Sequence, residues 1–280
     1  LHAMVAAARV VERRWNEFLT EFGADRWETL ADEVISRSEA AMRAEIRKIP
    51  EGVYTHEIPM DGFAEPMRIR VAVTVKDGSI LVDYDGSSPQ VPFGINSPDC
   101  YTYAYTAYPL KCLCNPSTPN NEGTFRAIEV RAPEGSFLRP VYPAPTSARS
   151  LGGHPLHAAV FGALAGALPD RVIAEGSSPR PTLLVSGYRP DNSRFHNAFF
   201  LMGGLGAWAG GDGSACLPYP TNILAMPTEI LENEAPILFE SKKLVTDSGG
   251  AGRHRVGTAQ EAVIRNLSGR PMLMSIMSER

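Results

Sequence analysis

A β-hairpin over residues 68–86 is the feature that most constrains the fold of this chain. The stretch RIRVAVTVKDGSILVDYDG alternates branched apolar residues with polar or smaller ones on both sides of Asp77-Gly78. Two alternating runs joined by Asp-Gly are typical of antiparallel strands connected by a tight two-residue turn. Any fold proposed for the chain must therefore include this hairpin.

Helical periodicity precedes the hairpin. Residues 1–22 place apolar side chains at three-and-four spacing, and Gly23 supplies a stop signal. A second helix is predicted from about residue 26 to residue 48, where Pro50 ends it. We therefore predict an N-terminal helical hairpin over residues 1–50, followed by a mixed α+β body with Gly/Pro-rich loops over residues 51–280.

The body combines strands with a few helices. Strands are predicted in FRAIEVRAP, TLLVSGYRP, RFHNAFFLMGG and PILFESKKLV. Helices are predicted in HPLHAAVFGALAGALP, in PTEILENE and around the tyrosines after residue 100, the last one bent or broken near Pro109. TAQEAVIRNL and PMLMSIMSER are predicted to close the chain as a hairpin. This order predicts an α+β fold with a mixed, mainly antiparallel sheet and a few packed helices.

Composition excludes several classes of protein. The chain is 44% hydrophobic and 21% charged, which is typical of a globular enzyme. Its net charge of −4 supplies no basic field for nucleic acid or an anionic membrane. The longest apolar run, Ala158–Leu168, is far shorter than the roughly 20 residues of a spanning helix. Four cysteines without a disulfide framework fit a reducing cytoplasm, so we expect a cytoplasmic chain with neither nucleic-acid nor membrane partners.

The loop LVTDSGGAGRHRVG, residues 244–257, is the main candidate for a binding site. It lacks the lysine and hydroxyl of a Walker phosphate loop and the third glycine of a dinucleotide fingerprint. Successive glycines can aim several backbone N–H groups at one anion, so we predict an anion nest at Gly249, Gly250 and Gly252.

The charged residues of this loop allow two interpretations. Arg253 and Arg255 can add charge-assisted hydrogen bonds to an anion. Alternatively, Asp247 pairs with Arg253 and braces a tight turn between strands. The residues alone favour the bracing interpretation.

His154 and His157 open a helix with both rings on one face. That spacing suits two metal ligands, but no third ligand stands at a recognisable spacing. Core packing or a structural hydrogen bond is the favoured interpretation, and we assign no metal ligand.

Four blocks in series resemble one enzyme family. They are VDYDGSSPQVPFGINSP (82–98), NEGTFRAIEVRAPEGSFLRPVYPAPTSAR (121–149), PTEILENEAPILFE (227–240) and DSGGAGRHRVG (247–257). Their order and spacing are similar to those of the hydantoinase B/oxoprolinase family. This family includes N-methylhydantoinase B subunits, the B half of 5-oxoprolinase, and homologous subunits of acetone and acetophenone carboxylases.

The resemblance implies a cytoplasmic subunit that works in a hetero-oligomer with a hydantoinase A-type ATPase. That partner binds ATP and phosphorylates a substrate oxygen, and the B-type subunit carries out the second half-reaction. Family members are usually longer, with an upstream portion that holds a divalent metal through acidic residues and histidines. We expect this chain to lack that portion, to bind no cofactor itself, and to be inactive alone unless another chain supplies it.

Within the matching blocks, five polar loop residues are predicted to bind substrate. Asn96 and Asn121 would hydrogen-bond an amide or carbonyl group, and Arg149 and Arg253 an anionic oxygen. Asp247 would orient Arg253. These groups are expected to converge, from separate segments, on one pocket.

Three functions follow as hypotheses. The first is part of a B-type subunit of an ATP-dependent amidohydrolase that opens cyclic amides of the hydantoin, oxoproline or lactam type. The second is a subunit of an ATP-dependent ketone carboxylase, in which Tyr101, Tyr103, Tyr105 and Tyr108 line an aryl pocket, although core packing explains those tyrosines equally well. The third is a non-catalytic scaffold for partner subunits.

Overall fold

Seven helices and nine strands form within the part of the chain that the computed structural model describes, residues 1–177, 181–217, 219–221, 223 and 225–277. The helices are α1 (His2–Phe22), α2 (Trp27–Ile46), α3 (Asp99–Cys114), α4 (Glu122–Phe125), α5 (Arg149–Gly153), α6 (Leu156–Leu164) and α7 (Thr228–Glu234). The strands are β1 (Gly52–Met60), β2 (Met67–Lys76), β3 (Ser79–Asp83), β4 (Ile128–Arg131), β5 (Thr182–Tyr188), β6 (Arg194–Phe200), β7 (Ile237–Leu244), β8 (Gln260–Asn266) and β9 (Leu273–Met277). The α+β class is confirmed.

The two N-terminal helices are confirmed at close to their predicted bounds. No residue of α1 is buried, whereas Met42 and Ile46 in the last turns of α2 are fully buried. These residues and Ile49 belong to the main core cluster together with the sheet. The predicted division at residue 50 therefore does not coincide with a boundary in packing.

The hairpin at residues 68–86 is confirmed and forms the centre of the main sheet. Asp77 and Gly78 both have positive φ, 50° and 70°, and the strands pair from Lys76 with Ser79. Four strands lie in the order β1-β2-β3-β4, with β4 parallel to β3 and the other pairs antiparallel. Alternate residues of β2 are buried against the core, as the alternating sequence pattern requires.

Helices α3 and α6 cover this sheet. Helix α6 packs against β1, β2 and α3, and eight of its nine residues are buried. The predicted helix around Pro109 is confirmed, and of the two alternatives, bent or broken, the break is wrong, because one helix runs from Asp99 to Cys114. Pro109 removes one backbone hydrogen bond, but it is buried beside Ala107 and Leu110, and this packing offsets the loss.

The predicted closing hairpin at the C-terminus is also wrong. Strand β8 pairs with β7 along its whole length, and β9 instead adds antiparallel to β5, giving a second sheet in the order β6-β5-β9. Strand β8 already pairs with β7 through the glycine-rich loop that connects them. Strand β9 therefore pairs with the open edge of β5. The last three residues of the predicted segment lie outside the described residues.

A second, smaller core joins the two smaller sheets through α7. It consists of Leu183, Val185, Phe195, Phe199, Leu231, Ala235 and Ile237. Among the described residues, no helix combines the length and the apolarity needed to cross a bilayer.

Candidate functional site

A cleft of about 610 Å³ opens between α6, the segment that follows it, and two glycine-rich loops. This volume lies within the range of pockets that hold small molecules. Its ionisable lining residues are His56, His157, Asp170, Glu175, Arg253 and His254. Alanine, proline, valine, isoleucine, phenylalanine and tryptophan side chains supply the apolar part of the wall.

Glycines build the loop walls by letting backbone pack directly on backbone. A Cβ atom on Gly204 would lie 1.9 Å from the carbonyl oxygen of Gly257, and one on Gly206 would lie 1.6 Å from that of Ala174. The Gly257 N–H donates to the Leu205 carbonyl at 3.0 Å. Side chains larger than hydrogen do not fit between these segments, so the glycines set the shape of the cleft wall.

The anion nest predicted at Gly249, Gly250 and Gly252 is not formed. A nest alternates right-handed and left-handed backbone, yet none of the three glycines has a φ in the left-handed region. Gly249 is needed for a different reason, since a Cβ there would lie 2.3 Å from the carbonyl oxygen of Val256. Gly249 therefore serves close packing of backbone on backbone.

The prediction that Asp247 pairs with Arg253 is wrong, because the partner of Asp247 is Arg255. Asp247 accepts from Arg255 at 2.8 Å, in an exposed ion pair that braces the loop. Asp212 accepts from the Arg255 backbone N–H at 2.9 Å and faces His254 at 3.3 Å. These contacts hold the pKa of the Asp212 carboxyl below its usual range, with the Arg255 N–H as the main cause.

Arg253 stands apart from this bracing network. Its side chain is exposed, lines the cleft, and makes no ion pair or hydrogen bond to any residue that the structure describes. An arginine without a protein partner at the wall of a cleft is available to an anionic ligand.

Asn96 and Asn121 have structural roles in place of the predicted contacts with substrate. The fully buried Asn96 accepts from the Val91 N–H at 3.0 Å, and its amide nitrogen donates to the carbonyls of Val91, Phe93 and Pro145. Its amide is therefore committed to bracing the loop.

Asn121 caps a helix. It accepts from the Thr124 N–H at 3.2 Å as the N-cap of α4, and it donates to the Ser38 hydroxyl of α2 at 2.7 Å. This contact ties the second N-terminal helix to the body, and it leaves the side chain occupied.

Arg149 does not join the cleft, so the predicted convergence of Arg149 with Arg253 is wrong. Arg149 begins α5, is exposed, and places its guanidinium 5.3 Å from the centre of the Tyr101 ring. It is absent from the cleft lining that includes Arg253. A cation–π contact accounts for its position.

His157 is a buried, neutral imidazole at the floor of the cleft. Its Nδ1 faces the His154 carbonyl oxygen, which can only accept, so Nδ1 carries the proton and Nε2 keeps its lone pair. Tyr219 packs edge-on against the ring at a centroid distance of 4.8 Å. Burial lowers the pKa of His157 to about 4, so the ring is an uncharged proton acceptor at neutral pH.

Glu175 is a lining residue that no sequence pattern indicates. It is exposed, and within the described ranges it makes no ion pair or hydrogen bond. Partial desolvation at the wall of the cleft raises the pKa of its carboxyl. A carboxyl with a raised pKa in a cleft is a functional-site candidate, but a single glutamate in a loop carries no recognisable spacing.

Comparison with known proteins assigns the chain to a family. The model of the hydantoinase B/oxoprolinase family matches residues 1–280. The chain belongs to the hydantoinase B/oxoprolinase family. The resemblance found in the four sequence blocks is thereby confirmed.

One relative and one solved structure show the extent of the likeness. The caprolactamase subunit beta of Pseudomonas jessenii is 29% identical over 272 residues, covering 92% of this chain and 46% of its own length. The crystal structure of the ATP-dependent caprolactamase from the same organism matches with a TM-score of 0.87 and 28% identity, over 95% of this chain and 48% of that one. The chain spans about half or less of the length of the curated relatives it matches.

A third likeness concerns the fold alone. A nucleotide-free acetone carboxylase structure matches with a TM-score of 0.83 at 19% identity, over 96% of this chain and 39% of that one.

The described residues of this hydantoinase B family member include no group of three or more His, Cys, Asp or Glu arranged to hold a metal. They do not fit the divalent metal that the family resemblance implies.

The buried state of His157 makes the stability of this family member sensitive to acid. Its folded pKa of about 4 lies below the ordinary value of 6.5, so the unfolded chain binds the proton more tightly between these pH values. The contribution of neutral His157 to the free energy of unfolding is complete above pH 6.5 and is lost progressively as the pH falls towards 4. We expect the His157-dependent part of the unfolding free energy to decrease by about 2 kcal/mol from pH 7 to pH 5.

Urea denaturation at both pH values measures this effect. The control is His157→Gln, which keeps a polar side chain but does not titrate, and its stability should lack this component. An equal loss of stability in the variant and the parent chain would show that His157 is not the group responsible.

Proposed function

We propose that this chain is part of a B-type subunit of an ATP-dependent amidohydrolase that opens cyclic amides. The observation that carries the proposal is the cleft, which is lined by neutral His157, by Glu175 with its raised pKa, and by Arg253, which has no partner among the described residues. These groups supply a cation for an anionic oxygen, a proton acceptor and a proton donor.

The chemistry of amide opening needs these three functions. Resonance makes an amide carbon a poor electrophile, and phosphorylation of the amide oxygen by an A-type ATPase partner removes that protection. The activated substrate is an anion, which Arg253 would bind. Nε2 of His157 would accept a proton from the attacking water, and Glu175 would donate a proton to the ring nitrogen as the C–N bond breaks. This leaves an acyl phosphate, which a second water would hydrolyse to the carboxylate and inorganic phosphate.

The relatives support the same class of reaction. The family name includes hydantoinase and oxoprolinase, and one structural match at more than 25% identity is an ATP-dependent caprolactamase. The relative named subunit beta also supports a hetero-oligomer. We place ATP on the A-type partner, a divalent metal outside the described residues, and the complex in the cytoplasm.

Reconstitution tests the proposal. The chain is coexpressed with an A-type ATPase subunit and with the portion of the longer relatives that this chain does not span. ATP hydrolysis is then measured with hydantoin, 5-oxoproline or ε-caprolactam, and separately with acetone or acetophenone plus bicarbonate. We expect a response to a cyclic amide and none to the ketones.

A matched pair of arginine variants connects the activity to the cleft. Arg253→Gln should lower kcat/KM by about 10- to 100-fold, because it removes a charge-assisted contact to the activated oxygen. Arg131→Gln, at an exposed arginine paired with Glu129 outside the cleft, should stay within about twofold. Activity with ketones alone would establish the carboxylase alternative, and assembly without any turnover would establish the scaffold.

A further inference from the structure

The two glycine-rich loops bring a carboxylate and an imidazole together at the wall of the cleft. Oδ1 of Asp212, on the first loop, lies 3.3 Å from Nδ1 of His254, on the second. His254 lines the cleft together with Arg253, whereas Asp212 reaches His254 from outside the lining. The proposed function uses neither member of this pair.

Backbone contacts hold the pair in place. Oδ1 of Asp212 also accepts from the Arg255 N–H at 2.9 Å, and the Gly213 N–H donates to the Arg255 carbonyl at 2.7 Å. A Cβ on Gly213 would lie 1.9 Å from the Leu205 carbonyl oxygen, so this loop is itself packed directly on backbone. The packing of the loops therefore fixes the position of Asp212 relative to His254.

The hydrogen bonds assign the tautomer of His254. The Arg255 N–H holds the pKa of the Asp212 carboxyl below its usual range, so this group is ionised at neutral pH and can only accept. Nδ1 of His254 therefore carries a proton, and Nε2, on the other side of the ring, keeps its lone pair for the cleft. A carboxylate at Nδ1 also stabilises the imidazolium that forms when Nε2 takes up a proton.

The hydrolysis of an activated cyclic amide needs two waters, and only the first has an acceptor so far. His157 takes the proton of the water that opens the ring. The second water attacks the acyl phosphate, whose phosphoryl oxygens Arg253 would hold. His254 follows Arg253 in the chain and lines the same cleft, so its Nε2 is placed to serve this second water.

We propose that His254 is the proton acceptor for the second water and that Asp212 is the residue that positions and orients it. This inference rests on the proposed function and adds a second acid–base group to it. The water oxygen bonds to the acyl carbon, and the bond from that carbon to the phosphoryl oxygen breaks, with its electron pair leaving on phosphate. One proton of the water passes through Nε2 of His254 to the departing phosphate, and the other is released as the carboxylic acid ionises.

Hydroxylamine, which converts an acyl phosphate to a hydroxamate, separates the two waters. In the reconstituted complex turning over a cyclic amide, His254→Asn should lower kcat by about 100-fold or more and raise the yield of hydroxamate. His157→Gln should lower kcat without raising that yield, because it blocks the earlier step. His196→Asn, at an exposed histidine outside the cleft, is the control and should stay within about twofold in kcat.

Asp212→Asn separates the charge of the carboxylate from its position. The amide oxygen can still accept from both the Arg255 N–H and Nδ1 of His254, but it cannot stabilise an imidazolium. We expect kcat to fall by about 10- to 100-fold, with more hydroxamate and an unchanged KM. The urea midpoint should match that of the parent chain, because the contacts between the loops remain.

Acetyl phosphate tests the pair on the full chain alone, without ATP or a ring to open. The chain should accelerate its hydrolysis, measured as released phosphate. His254→Asn and Asp212→Asn should lose this acceleration, and His157→Gln should keep it.

The outcomes distinguish this inference from the proposed function. If the complex opens a cyclic amide, the trapping result decides, and an unchanged kcat and hydroxamate yield in His254→Asn would overturn the inference alone. If no cyclic amide drives ATP hydrolysis, but acetyl phosphate hydrolysis depends on His254, the proposed function fails and the role of the pair in acyl phosphate hydrolysis stands. If neither activity is found, both fail.

Discussion

Asn96→Ala should lower the free energy of unfolding by about 4 kcal/mol. The side chain is fully buried and makes four hydrogen bonds to backbone groups of Val91, Phe93 and Pro145. Alanine would leave these groups without partners where water does not reach them, each at a cost of roughly 1–3 kcal/mol, partly recovered by relaxation.

Urea denaturation of Asn96→Ala and Asn121→Ala compares two asparagines that the sequence predicts to hydrogen-bond the substrate. Asn121 caps the short helix α4 and bonds Ser38, so its replacement should cost about 1–2 kcal/mol. A loss at Asn96 no larger than the loss at Asn121 would contradict the bracing role assigned to Asn96. In that case its amide would again be a candidate for ligand binding.

Gly204→Ala should destabilise the chain by about 3 kcal/mol or more and abolish ligand binding in the cleft. The new methyl group would lie 1.9 Å from the carbonyl oxygen of Gly257, and backbone on both sides cannot rotate away as a side chain would. The loops must then separate, which moves Leu205 from its hydrogen bond with Gly257.

Gly166→Ala is the matched control for this substitution. A Cβ at Gly166 meets no atom within 4 Å, and its φ is outside the left-handed region. The control should stay within about 0.5 kcal/mol of the parent chain in thermal and urea unfolding. A stable Gly204→Ala protein with an intact cleft would show that the loops do not depend on direct backbone contact.

Local signals predicted much of the fold from the sequence. The Asp77-Gly78 turn and the alternation in β2 place both determinants of the hairpin within a few residues, so the register is specified locally. The helices α1, α2, α6 and α7 were likewise recognisable from periodicity and stop signals. The pairing of β9 with β5 was not, because strands almost 90 residues apart compete with a nearer partner, and no local pattern records which edge is open.

The site was only partly predictable for the same physical reason. Arg253 stands beside conspicuous glycines, whereas Asn96 and Arg149 are candidates only because they are polar loop residues within the matching blocks. No local pattern indicates Glu175 or Asp212, since each is a single residue whose significance arises when loops from distant parts of the chain meet. The sequence predicts an anion nest at Gly249, whereas the contact of this residue with the Val256 carbonyl shows that it is needed for backbone packing.

A crystal structure of the chain with hydantoin-5-acetic acid tests the central claim most directly. We predict that the ring lies in the cleft, with its carboxylate within hydrogen-bonding distance of Arg253. Density for the compound at a different surface, with an empty cleft at a saturating concentration, would contradict the claim that this cleft is the ligand site.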